Sequence, residues 1–169
     1  MRFLTIKSKW NLFLVNHIYA GTWAFKRKRK LLRAIGWKIG ENTRIVGPVD
    51  CTGIVEIGND CWIGKLFRVH GNGNVKIGDR CDIAPEVSFF TGGHQLGGPD
   101  RRAGKGENYT ICVESGCWLG GRVLVANSVR IGTGCVVAAG ACVVQDLPEH
   151  SLAAGVPARV KRSLDLESK

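Results

Sequence analysis

Apolar residues return at every sixth position over long stretches of this chain. One run reads Ile39, Ile45, Cys51, Ile57, Ile63, Val69 and Val75; after a slip of two, the phase continues at Ile77, Ile83 and Phe89. A polar stretch intervenes, and the pattern resumes at Val113, Leu119, Val125, Ile131, Val137 and Val143. All sixteen slots are apolar in a chain that is 44% apolar, a result expected by chance about twice in a million. A second column lies four residues after each slot and holds small or β-branched side chains: Thr43, Val49, Val55, Cys61, Cys81, Val87, Cys117, Val123, Val129, Cys135 and Ala141, with Phe67 and Gly73 as exceptions. Glycine often follows the slot directly, as at Gly40, Gly58, Gly64, Gly78, Gly120 and Gly132. The pattern predicts short strands, each ending at a tight corner.

Period six with large apolar, small and glycine positions is the signature of a parallel β-helix, in which short strands stack about 4.8 Å apart. Each coil covers the open edge of the coil before it, so only the two ends need caps. The expected class is all-β, with sixteen slots making about five turns. Three units follow: a helical segment over 1–38, the repeat over 39–162 with a loop at 90–110, and a tail at 163–169.

Charge separates the first unit from the second. Residues 1–38 hold ten Lys and Arg and no acid, while the remaining fourteen bases face all fourteen acids, so the net +10 belongs to the start of the chain. That start also carries Phe3, Trp10, Phe13, Trp23, Phe25 and Trp37. Three readings stand: a cap over the first coil, an anchor on an anionic membrane surface, and a nucleic-acid arm, the last unsupported by any readout motif. The uncharged stretch from Trp10 to Phe25 holds sixteen residues, short of the roughly 20 a spanning helix needs. It runs into a basic cluster rather than a cleavage site, so a cytoplasmic protein is expected. Seven cysteines, odd in number and without a C-x-x-C spacing, read as reduced thiols, four of them corner fillers.

Beyond the period, several motifs occur in order. Residues 77–87 read Ile-Gly-Asp-Arg-Cys-Asp-Ile-Ala-Pro-Glu-Val, followed by His94. Cys117-Trp118-Leu119-Gly120-Gly121 comes next, then residues 138–148 from Ala138 to Pro148, then Ala154-Gly155-Val156-Pro157-Ala158-Arg159. Together they resemble the hexapeptide-repeat acyltransferases, close to the maltose and galactoside O-acetyltransferases and the polysaccharide-biosynthesis acetyltransferases. The resemblance implies a left-handed β-helix, a homotrimer, and acyl-CoA sites between neighbouring subunits.

Chemistry is expected at the 90–110 break, because a long segment ejected from a rigid repeat is commonly functional. His94 is the general-base candidate, since an imidazole takes a proton from a hydroxyl at neutral pH. Asp82, Glu86 and Asp100 are the carboxylates considered for orienting it. The resemblance implies donor contacts from Trp118, the backbone of Gly120, Gly121 and Ala139, and Arg159, Lys161 and Arg162 near the coenzyme phosphates. For the acceptor it implies an asparagine, Asn72 or Asn74, and the arginines Arg101 and Arg102. Val144-Gln145 departs from the Thr-Lys often found there, which removes one phosphate contact.

The expected activity is acetyl transfer from acetyl-CoA to a hydroxyl of a sugar or polysaccharide precursor, lipid-linked if residues 1–38 meet a membrane. Serine, a xenobiotic or an amino sugar are alternative acceptors. A zinc-binding β-helix and a non-catalytic scaffold are alternative classes, and no metal site is expected from four scattered histidines.

Overall fold

The computed structural model describes residues 6–164. Arg2 and Phe3 of the basic segment, and residues 165–169 of the expected tail, lie outside the described residues. The repeat folds into a three-faced prism whose faces we call A, B and C. Coil 1 uses strands Lys38–Ile39, Arg44–Ile45 and Val49–Cys51; coil 2 uses Ile54–Ile57, Trp62–Ile63 and Phe67–His70. Coil 3 uses Asn74–Ile77, Asp82–Ile83 and Ser88–Phe90, and coil 4 uses Thr110–Val113, Trp118–Leu119 and Leu124–Ala126. Coil 5 uses Arg130–Ile131, Val136–Val137 and Cys142–Val143, and Leu147 with Ser151–Ala154 begins a sixth. Like faces stack in parallel register, so Ile45 lies on Ile63, Ile83 on Leu119, and Leu119 on Val137.

The slip of phase is a local insertion. Val55 pairs with Val75 and Ile57 with Ile77, so Val75 belongs to the second column, not to the first as its spacing implied. Two residues added at the corner Gly71-Asn72-Gly73 account for the shift. The break at 90–110 is not an irregular loop either. It is an antiparallel hairpin of Gly92–Leu96 with Ala103–Asn108, and coil 4 resumes on coil 3 with Val113 over Ile77.

The interior is lined by the first column, Ile45, Ile63, Ile83, Leu119 and Ile131 all being fully buried. Trp37, Phe67 and Phe89 stack up its axis with ring centroids 6.0 and 5.5 Å apart. At the A/B edge the second column is a ladder of small donors. Thr43 Oγ1 donates to the Gly58 carbonyl (2.6 Å), Cys61 Sγ to Gly78 (3.1 Å), Cys81 Sγ to Glu114 (3.1 Å), Cys117 Sγ to Gly132 (3.1 Å) and Cys135 Sγ to Pro148 (2.9 Å). The four buried cysteines therefore fill corners and satisfy the carbonyl of the following coil, a second role the pattern did not show.

The basic start is a cap. Helix α1 (Ile6–Phe13) continues through a π-helical turn (Leu14–Ile18), and α2 (Phe25–Ala34) crosses the open end of coil 1. A parallel coil leaves outward carbonyls at its first edge, and cations of α2 meet them. Lys28 Nζ donates to Gly21 (2.6 Å) and Val46 (2.9 Å), Arg29 to Thr43 (2.9 Å), and Arg33 Nε to Ile39 (2.9 Å). Burial pulls the pKa of Lys28 down to about 8. At the other end Arg159–Ser163 folds back antiparallel on Ser151–Ala154. No helix among the described residues is long and apolar enough to cross a membrane.

Candidate active site

The C/A edge is where the repeat opens. Coil 1 turns there through Thr52-Gly53, coil 2 through Gly71-Asn72-Gly73, and coil 3 sends out the hairpin. Gly71 has φ +113°, and a side chain on it would meet the Gly92 nitrogen at 2.4 Å, so glycine is required where hairpin and corner touch. An open groove of about 530 Å³ lies at this junction, lined by His70, Asn72, Phe90, His94, Glu107 and Asn108 among others.

His94 stands on the outgoing strand opposite Gly106. Its Nδ1 lies 2.8 Å from the Gly104 carbonyl across the hairpin. A carbonyl only accepts, so Nδ1 carries a proton, and in the neutral ring it is Nε2 that has the lone pair. The orienting group is thus a main-chain carbonyl and none of the expected carboxylates: Asp82 sits on face B, Glu86 pairs with Arg122 at 3.0 Å, and Asp100 is at the hairpin tip. Beside His94, Glu107 accepts from Gln95 Nε2 (2.8 Å) and from the Tyr109 hydroxyl (3.4 Å). Of the two expected asparagines, Asn72 lines this groove, while Asn74 lies within a face A strand between Ile54 and Thr110. Arg101 and Arg102 sit in the exposed turn at the hairpin tip, away from the groove within this chain.

The B/C edge carries a different feature. Gly120 N–H donates to Val137 (2.8 Å), so it is not available to a ligand. Its glycine identity has a packing cause, since a Cβ there would meet the Ala139 nitrogen at 2.6 Å. Gly121 and Ala139, one position further along coils 4 and 5, make no N–H hydrogen bond among the described residues. Register places Trp62, Asp82, Trp118, Val136 and Leu152 in one outward column on face B, and Trp118 is 55% exposed. A groove of about 330 Å³ runs between Trp62 and Trp118 over Asp82 and Pro85.

The basic residues of the C-terminal strand continue this face. Arg162 is opposite Leu152 and Arg159 opposite Ala154, while Lys161 falls at the register shift between them. Arg159 also donates to Gln145 Oε1 at 3.3 Å, which ties the strand to the position where the motif departs from its relatives. Trp118, Gly121, Ala139, Arg159 and Arg162 are therefore gathered on face B and its B/C edge. His94 and Asn72 are gathered at the C/A edge, and among the described residues the two grooves share no lining residue.

His70, Glu107 and Asn108 line the groove of His94 without having been singled out for it from sequence. His70 lies against Phe90, with centroids 5.3 Å apart. Only the hairpin pairing, invisible to a six-residue period, brings Glu107 opposite Gly93. Among the described residues no three of His, Cys, Asp and Glu converge as a metal-ligand group.

No protein-family model matches the chain. Individual proteins do. A galactoside O-acetyltransferase of Escherichia coli strain K12 is 28% identical over 170 residues, covering 97% of this chain and 81% of that protein. A putative acetyltransferase of Saccharomyces cerevisiae is 31% identical over 144 residues, covering 82% and 71%. In structure, a hexapeptide-repeat-containing acetyltransferase of Vibrio cholerae, solved with acetyl-coenzyme A, superposes with a TM-score of 0.81 at 29% identity, covering 96% of this chain and 87% of that one. With the period, the ordered motifs and the stacked coils in agreement, the chain belongs to the hexapeptide-repeat acetyltransferases, and its prism is their left-handed parallel β-helix.

Proposed function

We propose that this protein transfers the acetyl group of acetyl-CoA to a hydroxyl of a sugar or polysaccharide precursor, with His94 as general base. The observation that carries the reading is the 2.8 Å contact of His94 Nδ1 with the Gly104 carbonyl, which leaves Nε2 as a fixed proton acceptor on an exposed groove. Nε2 takes the hydroxyl proton as the oxygen attacks the thioester carbon. The oxyanion of the tetrahedral intermediate is met by a free main-chain amide, for which Gly121 is suited. Collapse expels the CoA thiolate, which recovers the proton from the imidazolium, leaving ester and thiol with no covalent enzyme intermediate. The amide of Ala139 and the cations Arg159 and Arg162 then line a path for the pantetheine and phosphate parts of the donor.

Because the two groups of residues occupy different edges of one prism, the reading calls for a neighbouring copy: His94 of one chain facing Trp118 and Gly121 of another, as in a homotrimer with its sites between subunits. The relative that acts on galactosides supports a sugar acceptor. A lipid-linked acceptor is supported by α1, on which Ile6, Trp10 and Phe13 are 90%, 60% and 43% exposed beside Lys7 and Lys9, as in helices lying on anionic membrane surfaces. The free thiols fit a cytoplasmic protein.

The experiment is thiol release from acetyl-CoA with sugars, nucleotide sugars, amino sugars and serine, on wild type and His94→Ala. Turnover with a sugar that collapses in the variant is the expected result. Equal turnover in both proteins, or turnover with serine alone, would overturn it.

A further inference from the structure

A second cavity sits on the same edge as His94, one corner nearer the cap. It spans about 270 Å³ between α1, the end of α2 and the first two coils, and is lined by Leu12, Ile35, Trp37, Cys51 and Ile54, with Thr52 and Asn72 at its exposed rim. The Thr52 hydroxyl is engaged by the corner, with Gly71 O at 3.0 Å. Asn72 makes no hydrogen bond among the described residues, and it lines both this cavity and the groove of His94. The pocket opens to solvent through the exposed Thr52, Ile54 and Asn72, so an apolar guest that displaces water from Leu12, Ile35, Trp37 and Cys51 gains the free energy of apolar burial. Ile54, 42% exposed, stands where the cavity meets solvent.

Resting on the sugar-acceptor reading above, we infer that the acceptor carries an apolar group beside its hydroxylated part, and that this cavity receives it. The cavity is smaller than a complete ligand site, so it suits one arm of a larger acceptor, an aliphatic chain or a ring. Asn72 then stands at the boundary, its free amide facing the hydroxylated part as the ligand passes over the Gly71-Asn72-Gly73 corner towards Nε2 of His94. A detachable aglycone and a lipid link share this chemistry.

The test compares methyl and octyl β-galactoside as acceptors, both below the micelle concentration, with the octyl galactolipid presented in vesicles as a third arm. Each buried methylene favours binding about three- to fourfold, so the octyl compound is expected to exceed the methyl one in kcat/KM by at least about tenfold. Ile54→Asp is expected to bring that ratio close to 1. Octyl galactoside is also expected to give a saturable change in tryptophan fluorescence that is absent in Trp37→Phe and retained in His94→Ala. Preference for the vesicle arm assigns the lipid link, and preference for the soluble arm assigns the aglycone. Equal kcat/KM for the methyl and octyl compounds in an active enzyme overturns the inference and leaves the acetyl-transfer reading standing. Saturable fluorescence without turnover of any acceptor overturns the acetyl-transfer reading and with it the assignment of the cavity to an acceptor. Absence of both signals overturns both.

Discussion

The A/B and B/C edges are built from one repeat, yet over the first three coils they treat their corner amides differently. At A/B the amide of Glu41 donates to Asn59 Oδ1 (2.9 Å), that of Asn59 to Asp79 Oδ1 (2.7 Å), and that of Asp79 to Ser115 Oγ (3.0 Å). Coils 2, 3 and 4 thus each cap the corner before them with a short polar side chain, while the amides of Ser115 and Thr133 make no hydrogen bond among the described residues. At the matching B/C positions stand Gly47, Lys65, Pro85, Gly121 and Ala139, none of which caps its neighbour. Coil 3 has no N–H there at all, and the other coils leave theirs open. A capped amide serves the fold, whereas an uncapped one is left to solvent or to a ligand.

The comparison can be broken in several ways. The largest effect is expected at the C/A edge, where His94→Ala should lower kcat by about 10²- to 10⁴-fold in the acetyl-transfer assay without changing the melting temperature, because the side chain is exposed on a hairpin. Gly121→Pro converts an open corner into the form already present at Pro85. It should reduce kcat/KM for acetyl-CoA by about 10²-fold while circular dichroism shows an intact fold, and an undiminished value would mean that this amide meets no oxyanion. Gly120→Ala forces a methyl against the Ala139 nitrogen and should destabilise by about 1–3 kcal/mol, a thermal shift of several degrees. The smallest change is expected from Asn59→Ala, which uncaps Glu41 at the A/B edge. It should cost about 1 kcal/mol in urea unfolding and leave kcat unaltered.

Much of the prism was legible because its physics is local and periodic. A strand of two residues and a corner leave the same mark every six positions, so Ile63, Ile83 and Leu119 announce their burial directly. Val75 was misplaced because a two-residue corner insertion keeps the alternation of a strand while changing which column a side chain joins. The hairpin escaped for a similar reason: Gly93, Gly97, Gly104 and Gly106 make its strands look like flexible loop, and its antiparallel pairing has no counterpart in the repeat. His94 was found from its chemistry and place in a motif, but its partner could not be. A main-chain carbonyl ten residues away leaves no trace in side-chain composition, which is why three carboxylates were considered instead. The basic start was visible as charge, whereas its use as hydrogen-bond donors to bare carbonyls follows only from knowing which end of the prism it covers.

Pro85 has a consequence for measurement along the molecule. Since coil 3 has no corner N–H, Pro85 interrupts the row of open amides: Lys65 lies on one side of it, and on the other Gly121 and Ala139 lead towards the strand bearing Arg159. Spacing along that row comes in whole coils of about 4.8 Å. The stretch beyond Pro85 is therefore graduated, and removing or adding one eighteen-residue coil between Gly121 and Arg159 would move the cations by one whole graduation, never by a fraction. On the proposed reading, donor length is measured there in integers.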